Sequence, residues 1–312
     1  MPNIELPYVV EEALTGVSIA YLPKGFIADK ILTRTSVDST SFAYNYYDKG
    51  QFLTSEDTEI GEYGIPNEDE FKYTEKHIGT KAYAHETKLP IQHLNLTTKE
   101  KNKEAKRVMF SKKKLLLADE IRLAKMLRNK DIYEGNSKVL TNSNNFSNSE
   151  TLITKTIQDV MGKMYMPANT AIISFATLQA LRTAPQIVKS AKGKDVDDGM
   201  VSIDYIKKEV FDVENLLVGS AKACANKRGQ NVELGYIWGN DIILAYIDPA
   251  ADIDCGITFG QRAVYEDYNT QTYLDPKPGA KGVKYYKTCD QHVDFITCPD
   301  CGYIIKNAFN FD

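Results

Sequence analysis

No proline or glycine interrupts the chain between Thr97 and Gly135. Thr97-Thr98-Lys99-Glu100 has the form of a capping box, a hydroxyl at the N-cap and a carboxylate three residues on. The spacing therefore predicts one helix over 97–130, about 45 Å long and well above the usual ~11 residues. Ala105, Val108, Met109, Leu115, Leu116, Leu123 and Leu127 make an apolar side, widened by Leu117, Ile121 and Ala124. The opposite side carries Lys99, Lys101, Lys103, Lys106, Arg107, Lys112, Lys113 and Lys114. Heptads are not sustained, which argues against a free-standing coiled coil. A helix of this length, greasy below and basic above, needs a broad surface to lie on, and a sheet is the natural one.

The remaining sequence supplies strands for that surface. Nineteen Tyr and twelve Phe against one Trp favour β structure with aromatic cross-strand pairs. Pro2, Pro7 and Pro23 among scattered apolar residues make 1–36 an extended arm. From Ser41 the period is two (Phe42, Tyr44, Tyr46), and a second alternating run covers 71–88. Together they predict a hairpin loop over 37–95. Between the runs lie Glu56, Asp57, Glu59, Glu62, Glu68, Asp69 and Glu70 with no basic residue among them. Such a hairpin has too little apolar surface to stand alone and is expected to rest on something else. Residues 136–149, rich in Asn and Ser, read as a loop. Helices are expected at 150–164, 178–188 and 201–210, and strands at 170–175, 216–218 and 236–247, which together make a compact lobe. From 257 the pattern is strand-like to the end, with a turn at 276–282.

Composition narrows the function. With 26% charged and 43% hydrophobic residues and a formal net charge of −4, the chain lacks the strong basicity of a dedicated nucleic-acid binder. No run of 18 apolar residues occurs, and Glu5, Glu11 and Glu12 break up any signal peptide near the start. Five cysteines, all after residue 223, do not make a secreted disulfide framework, so a reducing cytoplasm is expected.

Catalytic constellations are thin, and no cofactor is expected. Ser111-x-x-Lys114 matches a serine–lysine hydrolase fragment, but its companion motifs are missing and it falls mid-helix. Neither a P-loop nor a dinucleotide glycine fingerprint occurs. The carboxylates at 56–70 lack the order of a calcium loop, and His77, His85 and His93 read as surface or interface histidines. Cys289, His292, Cys298 and Cys301 supply four zinc-type ligands within 13 residues. A closed structural zinc site is one reading. Reduced buried thiols are the favoured one, since alternating strand geometry aims the pairs apart.

An ordered set of segments then resembles a known family. Asn215-Leu-Leu-Val-Gly-Ser-Ala221, Tyr236-Ile-Trp-Gly-Asn-Asp241 and Leu244-Ala-Tyr-Ile-Asp-Pro249 resemble tailed-phage major capsid proteins. Phe26-Ile-Ala-Asp-Lys-Ile31 is similar to the family's arm segment, Pro167–Ile173 with Leu178–Leu181 to its strand–helix unit, and Gly302–Ala308 to its closing strand. The resemblance implies the α+β Hong Kong ninety-seven-type capsid fold. Its parts would be an N-terminal arm (1–36), an extended loop (37–95), a peripheral domain (96–150 and 251–288) on a spine helix, and an axial domain (151–250 and 289–312).

The same resemblance implies a structural subunit and not an enzyme. Hexamers and pentamers of it would close an icosahedral shell around double-stranded DNA bound without sequence preference. Portal and decoration proteins belong to that picture, and with no scaffolding segment ahead of residue 1 a separate scaffold protein is expected. Assembly in the host cytoplasm, and the virion as final location, follow from the same likeness. An encapsulin-like compartment is the alternative of the same fold, and a zinc-dependent or hydrolytic enzyme the alternative from another class. Charge adds one expectation of its own. The acidic tip (Glu56, Asp57, Glu59, Glu68, Asp69, Glu70) docks on the basic helix face (Lys106, Arg107, Lys112, Lys113, Lys114) of a neighbouring subunit. Each exposed pair would contribute ~0–1 kcal/mol, repeated around the shell. The competing expectation turns those lysines towards the packaged DNA.

Overall fold

A computed structural model describes residues 8–21, 23–47, 59–60, 64–65, 73–93, 98–141, 143–193, 196, 198–224, 233–253 and 256–311. The chain starts with β1 (Val9–Val10) and helix α1 (Glu12–Ala20), followed by β2 (Thr33–Ser36). The segment expected to be an arm thus contains a helix and two short strands among its described residues. Pro7 and Pro23 bracket α1 instead of breaking it, and Leu14 and Ser18 are its buried residues. Strands β3 (Ser41–Tyr47) and β4 (Tyr73–Gly79) pair antiparallel from Ser41↔Gly79 to Tyr47↔Tyr73. Here the sequence reading is corrected. The second alternating run splits at Thr80, and its larger part, β5 (Lys81–Pro90), leaves the hairpin for a different sheet.

Helix α2 (Thr98–Leu127) follows, 30 residues without a break. The Asn/Ser-rich stretch after it contains a short strand, β6 (Ser137–Val139). The compact lobe then runs α3 (Ile153–Met161), β7 (Thr170–Ser174), α4 (Phe175–Thr183), α5 (Pro185–Lys192), β8 (Asn215–Gly219), β9 (Lys222–Cys224), β10 (Leu234–Tyr236) and β11 (Ile242–Ala245). The helix expected over 178–188 is broken at Pro185, as a proline inside a helical pattern predicts, with Ala184 between α4 and α5. Pro185 opens α5, where its missing N–H costs nothing. The predicted helix at 201–210 is Ile203–Tyr205 continuing into a π turn over Ile206–Val210.

Two long strands, β12 (Gly260–Asp275) and β13 (Val283–Ile296), and the closing strand β14 (Gly302–Lys306) complete the fold. They divide between two five-stranded sheets. The long-stranded sheet has the order β1-β12-β13-β5, with β2 parallel on β12. The lobe's sheet has the order β6-β14-β11-β7-β8. The apolar side of α2 lies across β5 and β13, and α1 fills the corner between α2 and β12. Val108, Leu115, Leu116, Leu123, Ala124 and Leu127 are the apolar residues α2 buries among those described.

The period-two rule then sorts the lobe's side chains. Ala171, Ile173, Ile242, Leu244 and Ile305 face α3, α4 and α5 in one apolar cluster. Their neighbours Ile172, Ile243, Ala245 and Ile304 face the other way and meet Leu123, Ala124 and Leu127 at the end of α2. The long helix therefore joins both halves of the molecule: its first part lies on the long sheet and its last turn on the lobe. Among the described residues no helix is long and apolar enough to cross a membrane.

Candidate functional site

Chemistry concentrates where α2 crosses β12 and β13. On the core side of α2, between Leu116 and Leu123, stand Asp119 and Glu120, both buried. The Arg262 guanidinium on β12 meets Asp119 twice (Nη1–Oδ2 2.8 Å, Nη2–Oδ1 3.2 Å) and Asp294 of β13 twice (Nε–Oδ1 2.6 Å, Nη2–Oδ2 2.9 Å). It also reaches Asp29, just before β2, at 2.8 Å. His292 of β13 lies between Asp119 (Nε2–Oδ1 3.2 Å) and Asp290 (Nδ1–Oδ2 2.9 Å). One cluster thus holds four distant segments in register.

The protonation states follow from these contacts. Burial opposes the charge on His292, but hydrogen bonds to Asp119 and Asp290 raise it to about 9, so it is an imidazolium at neutral pH. Burial likewise opposes the charge on Asp119, yet the His292 hydrogen bond and Arg262 hold it well below the ordinary carboxylate range. Asp119, His292 and Asp294 form the one group among the described residues with metal-ligand spacing. Arg262 already sits among them and supplies the positive charge a metal would bring. The cluster is an internal ion network, and its geometry gives it a structural role.

Two further anchors flank it. Glu120 accepts from the indole Nε1 of Trp238 (2.6 Å) and from the backbone N–H groups of Ile27 and Ala28 (3.0 and 2.8 Å). Burial raises its pKa despite these donors. Trp238 in turn lies on Gly219, where no Cβ fits. At the end of α2, Arg128 Nε donates to Asp241 Oδ2 at 2.7 Å, and the other oxygen of Asp241 accepts from the Asn307 N–H at 3.0 Å. The carboxylates at core-face positions of a helical pattern were a signal readable in the sequence. Arg262, 143 positions from Asp119, had none.

The residues singled out by sequence fare unevenly. Glu56, Asp57, Glu68, Asp69 and Glu70 lie outside the described residues, and Glu59 is exposed. Lys106, Arg107, Lys113 and Lys114 are exposed along α2. Lys112 is not part of that face: it is 1% exposed, with Nζ over the ring of Tyr268 on β12. Three consecutive lysines span 200° of a helix, so one of them had to turn inward. Burial pushes its pKa down to about 8. Ser111 is also buried, and its hydroxyl donates to the His85 carbonyl at 2.6 Å, which leaves no nucleophile on a solvated face.

The zinc set is not brought together. Cys289 and His292 are three apart on one strand and so point to opposite faces, and His292 is committed to Asp119 and Asp290. Cys298 and Cys301 lie beyond the strand's end, in the turn that leads to β14.

A helix laid across long strands, tied to a separate mixed lobe, is the architecture of phage capsid subunits, and the comparisons agree. A phage-related protein from Bordetella bronchiseptica RB50 superposes with a TM-score of 0.75 at 19% identity, covering 96% of this chain and 98% of that one. The capsid of cyanophage P-SCSP1u matches with a TM-score of 0.57 at 10% identity over 92% of this chain and 89% of that one. In sequence, the chain is 28% identical over 303 residues to the major capsid protein of Pseudomonas phage JBD67, spanning 97% of this chain and 98% of that protein. No family model matches. The chain has the Hong Kong ninety-seven-type capsid fold, and its sequence is similar over nearly its whole length to a phage major capsid protein.

Proposed function

We propose that this chain is the repeating subunit of a tailed-phage head, assembling as hexamers and pentamers into an icosahedral shell around double-stranded DNA. The observation that carries the reading is the length of the likeness, since the match to a phage major capsid protein leaves out almost nothing of either chain. The internal ion network fits a subunit whose work is mechanical: it fixes one arrangement of arm, helix and strands, as a repeating building block needs. We assign residues 1–36 to the arm, 37–95 to the loop, 96–150 with 251–288 to a peripheral domain and 151–250 with 289–312 to an axial domain. The strand pairing supports moving 81–90 from the loop to the peripheral sheet.

Assembly in the host cytoplasm with a separate scaffold protein, and later joining of portal and decoration proteins, belong to the same proposal. Docking of the acidic loop (residues 56–70) on a neighbour's helix would then use Lys106, Arg107, Lys113 and Lys114, without Lys112. Negative-stain microscopy of the purified protein, alone and co-expressed with its neighbouring phage genes, is the test. Closed shells of one size are expected. A uniform small oligomer under all of these conditions overturns the proposal.

A further inference from the structure

The turn Cys298-Pro299-Asp300-Cys301 carries the chain from β13 into β14. Its two sulfurs stand 3.4 Å apart, with the Cys301 thiol donating to Cys298. Cys301 is fully buried in the apolar cluster that contains Phe259, Trp238 and Ile304. Cys298 is only partly buried, so it is the sulfur that a small solute meets. We propose that Cys298 and Cys301 form a reversible dithiol–disulfide pair, a modification site oxidised by low-molecular-weight disulfides of the glutathione type.

The donor set speaks against a shared metal, since a closed zinc site takes four ligands. Among the described residues neither cysteine belongs to a group with three ligand atoms in reach of one another. Closing a disulfide needs the sulfurs to approach from 3.4 Å to about 2.05 Å, a movement of about 1.35 Å. The two thiols are also unequal. The hydrogen bond from Cys301 and the turn's own N–H groups lower the Cys298 pKa, while the bond it donates and its burial raise that of Cys301. An accessible attacking thiol beside a buried resolving thiol is the arrangement that exchange chemistry uses.

The step balances without other reagents. The Cys298 thiolate attacks one sulfur of the small disulfide, whose S–S bond breaks and releases one thiolate. Cys301 passes its proton to that thiolate and attacks the Cys298 sulfur, expelling the second small thiolate, which takes up the proton that Cys298 had given to solvent. Two protein thiols are oxidised to one S–S bond, and one small disulfide is reduced to two thiols. The consequence is local stiffening at a junction. The Asp300 carbonyl accepts from the Tyr165 N–H and the Asn136 side chain, and the Cys301 carbonyl from the Tyr246 N–H. The turn therefore anchors the exits of α2, α3 and β11 together.

The test incubates the full chain with graded ratios of oxidised to reduced glutathione, quenches with acid, alkylates the remaining thiols and maps them by mass. Cys298 and Cys301 are expected to lose alkylation together, the peptide becoming lighter by two hydrogens, at ratios that leave Cys289 alkylated. In Cys301→Ser a single glutathione should stay trapped on Cys298. In Cys298→Ser, Cys301 should remain unmodified. The proposal fails if both thiols persist at the most oxidising ratio, if the native chain accumulates the mixed disulfide, or if zinc bound at one per chain protects both thiols until a chelator removes it.

Discussion

The lobe and the long-stranded sheet bury different things. In the lobe, Ile157, Leu181, Ile206 and Ile305 are fully enclosed by other apolar side chains, and its buried hydroxyls pair locally, Ser174 with Thr177. Beneath α2 the long sheet buries Arg262, Lys112, Asp119, Asp290 and His292. Where α1 covers that sheet, Ser18 Oγ and Thr270 Oγ1 have no hydrogen-bond partner among the described residues. Apolar burial is non-directional and tolerates small shifts, whereas a buried ion network is favourable in one geometry only. The lobe is therefore stable by what it excludes from water. The sheet is specified by which groups meet, at some cost in stability.

The largest expected effect breaks the network. Arg262→Met takes a buried partner from Asp29, Asp119 and Asp294 at once and should cost about 3–5 kcal/mol in urea unfolding of the unassembled subunit. Adding Asp119→Leu and Asp294→Leu should recover part of that loss, because the carboxylates leave with their partner. In the lobe, Leu181→Ala should cost about 2–5 kcal/mol through transfer and cavity terms, with no polar substitution nearby able to restore it. Equal behaviour of the two sites under second substitutions would dissolve the distinction between them.

Titration separates the same two regions by shape. His292 has a raised folded pKa, so its contribution is complete below its unfolded value of ~6.5 and is lost as pH rises through about 9. A shift of that size corresponds to about 3 kcal/mol. Asp119 has a depressed pKa, so its contribution is present above ~3.9 and fades as pH falls below it. The subunit should be most stable between roughly pH 4 and 6.5 as far as this pair decides. In His292→Gln the decline between pH 6.5 and 9 should flatten, whereas Leu181→Ala should lower the whole curve without bending it. An unchanged alkaline limb in His292→Gln would mean that the imidazole is neutral in the fold.

What sequence could show depended on the range of the interaction. Helix α2 was legible because its signals, a polar start and an unbroken period, are local. The lobe's strands β7 and β11 were legible as short apolar runs for the same reason. The departure of β5 from the hairpin was not, because Thr80 carries no turn signature and the competing partner, β13, begins some two hundred residues later. Nor was α1, whose buried contacts, Leu14 and Ser18, depend on a corner formed by α2 and β12. The network was not read from the sequence: Asp119 and Glu120 interrupt an apolar face, a signal that was available, while nothing local told Arg262 from a surface arginine.

The smallest expected effect on folding is the one that bears most on assembly. Lys113 and Lys114 are exposed, so Lys113→Glu with Lys114→Glu should change subunit stability by no more than about 0.5 kcal/mol. Lys112 has to stay out of this variant. Its ammonium is packed on Tyr268 inside the sheet–helix seam, and a carboxylate there would destabilise the fold and imitate an assembly defect. With the fold intact, the double reversal leaves two informative outcomes. Folded subunits that no longer close into shells place this face against the acidic loop of a neighbour. Intact shells that lose DNA after packaging place it against phosphates, and the loss should then steepen with added salt. Normal shells with normal DNA retention would leave α2 with a purely internal role, holding the long sheet and the lobe in one frame.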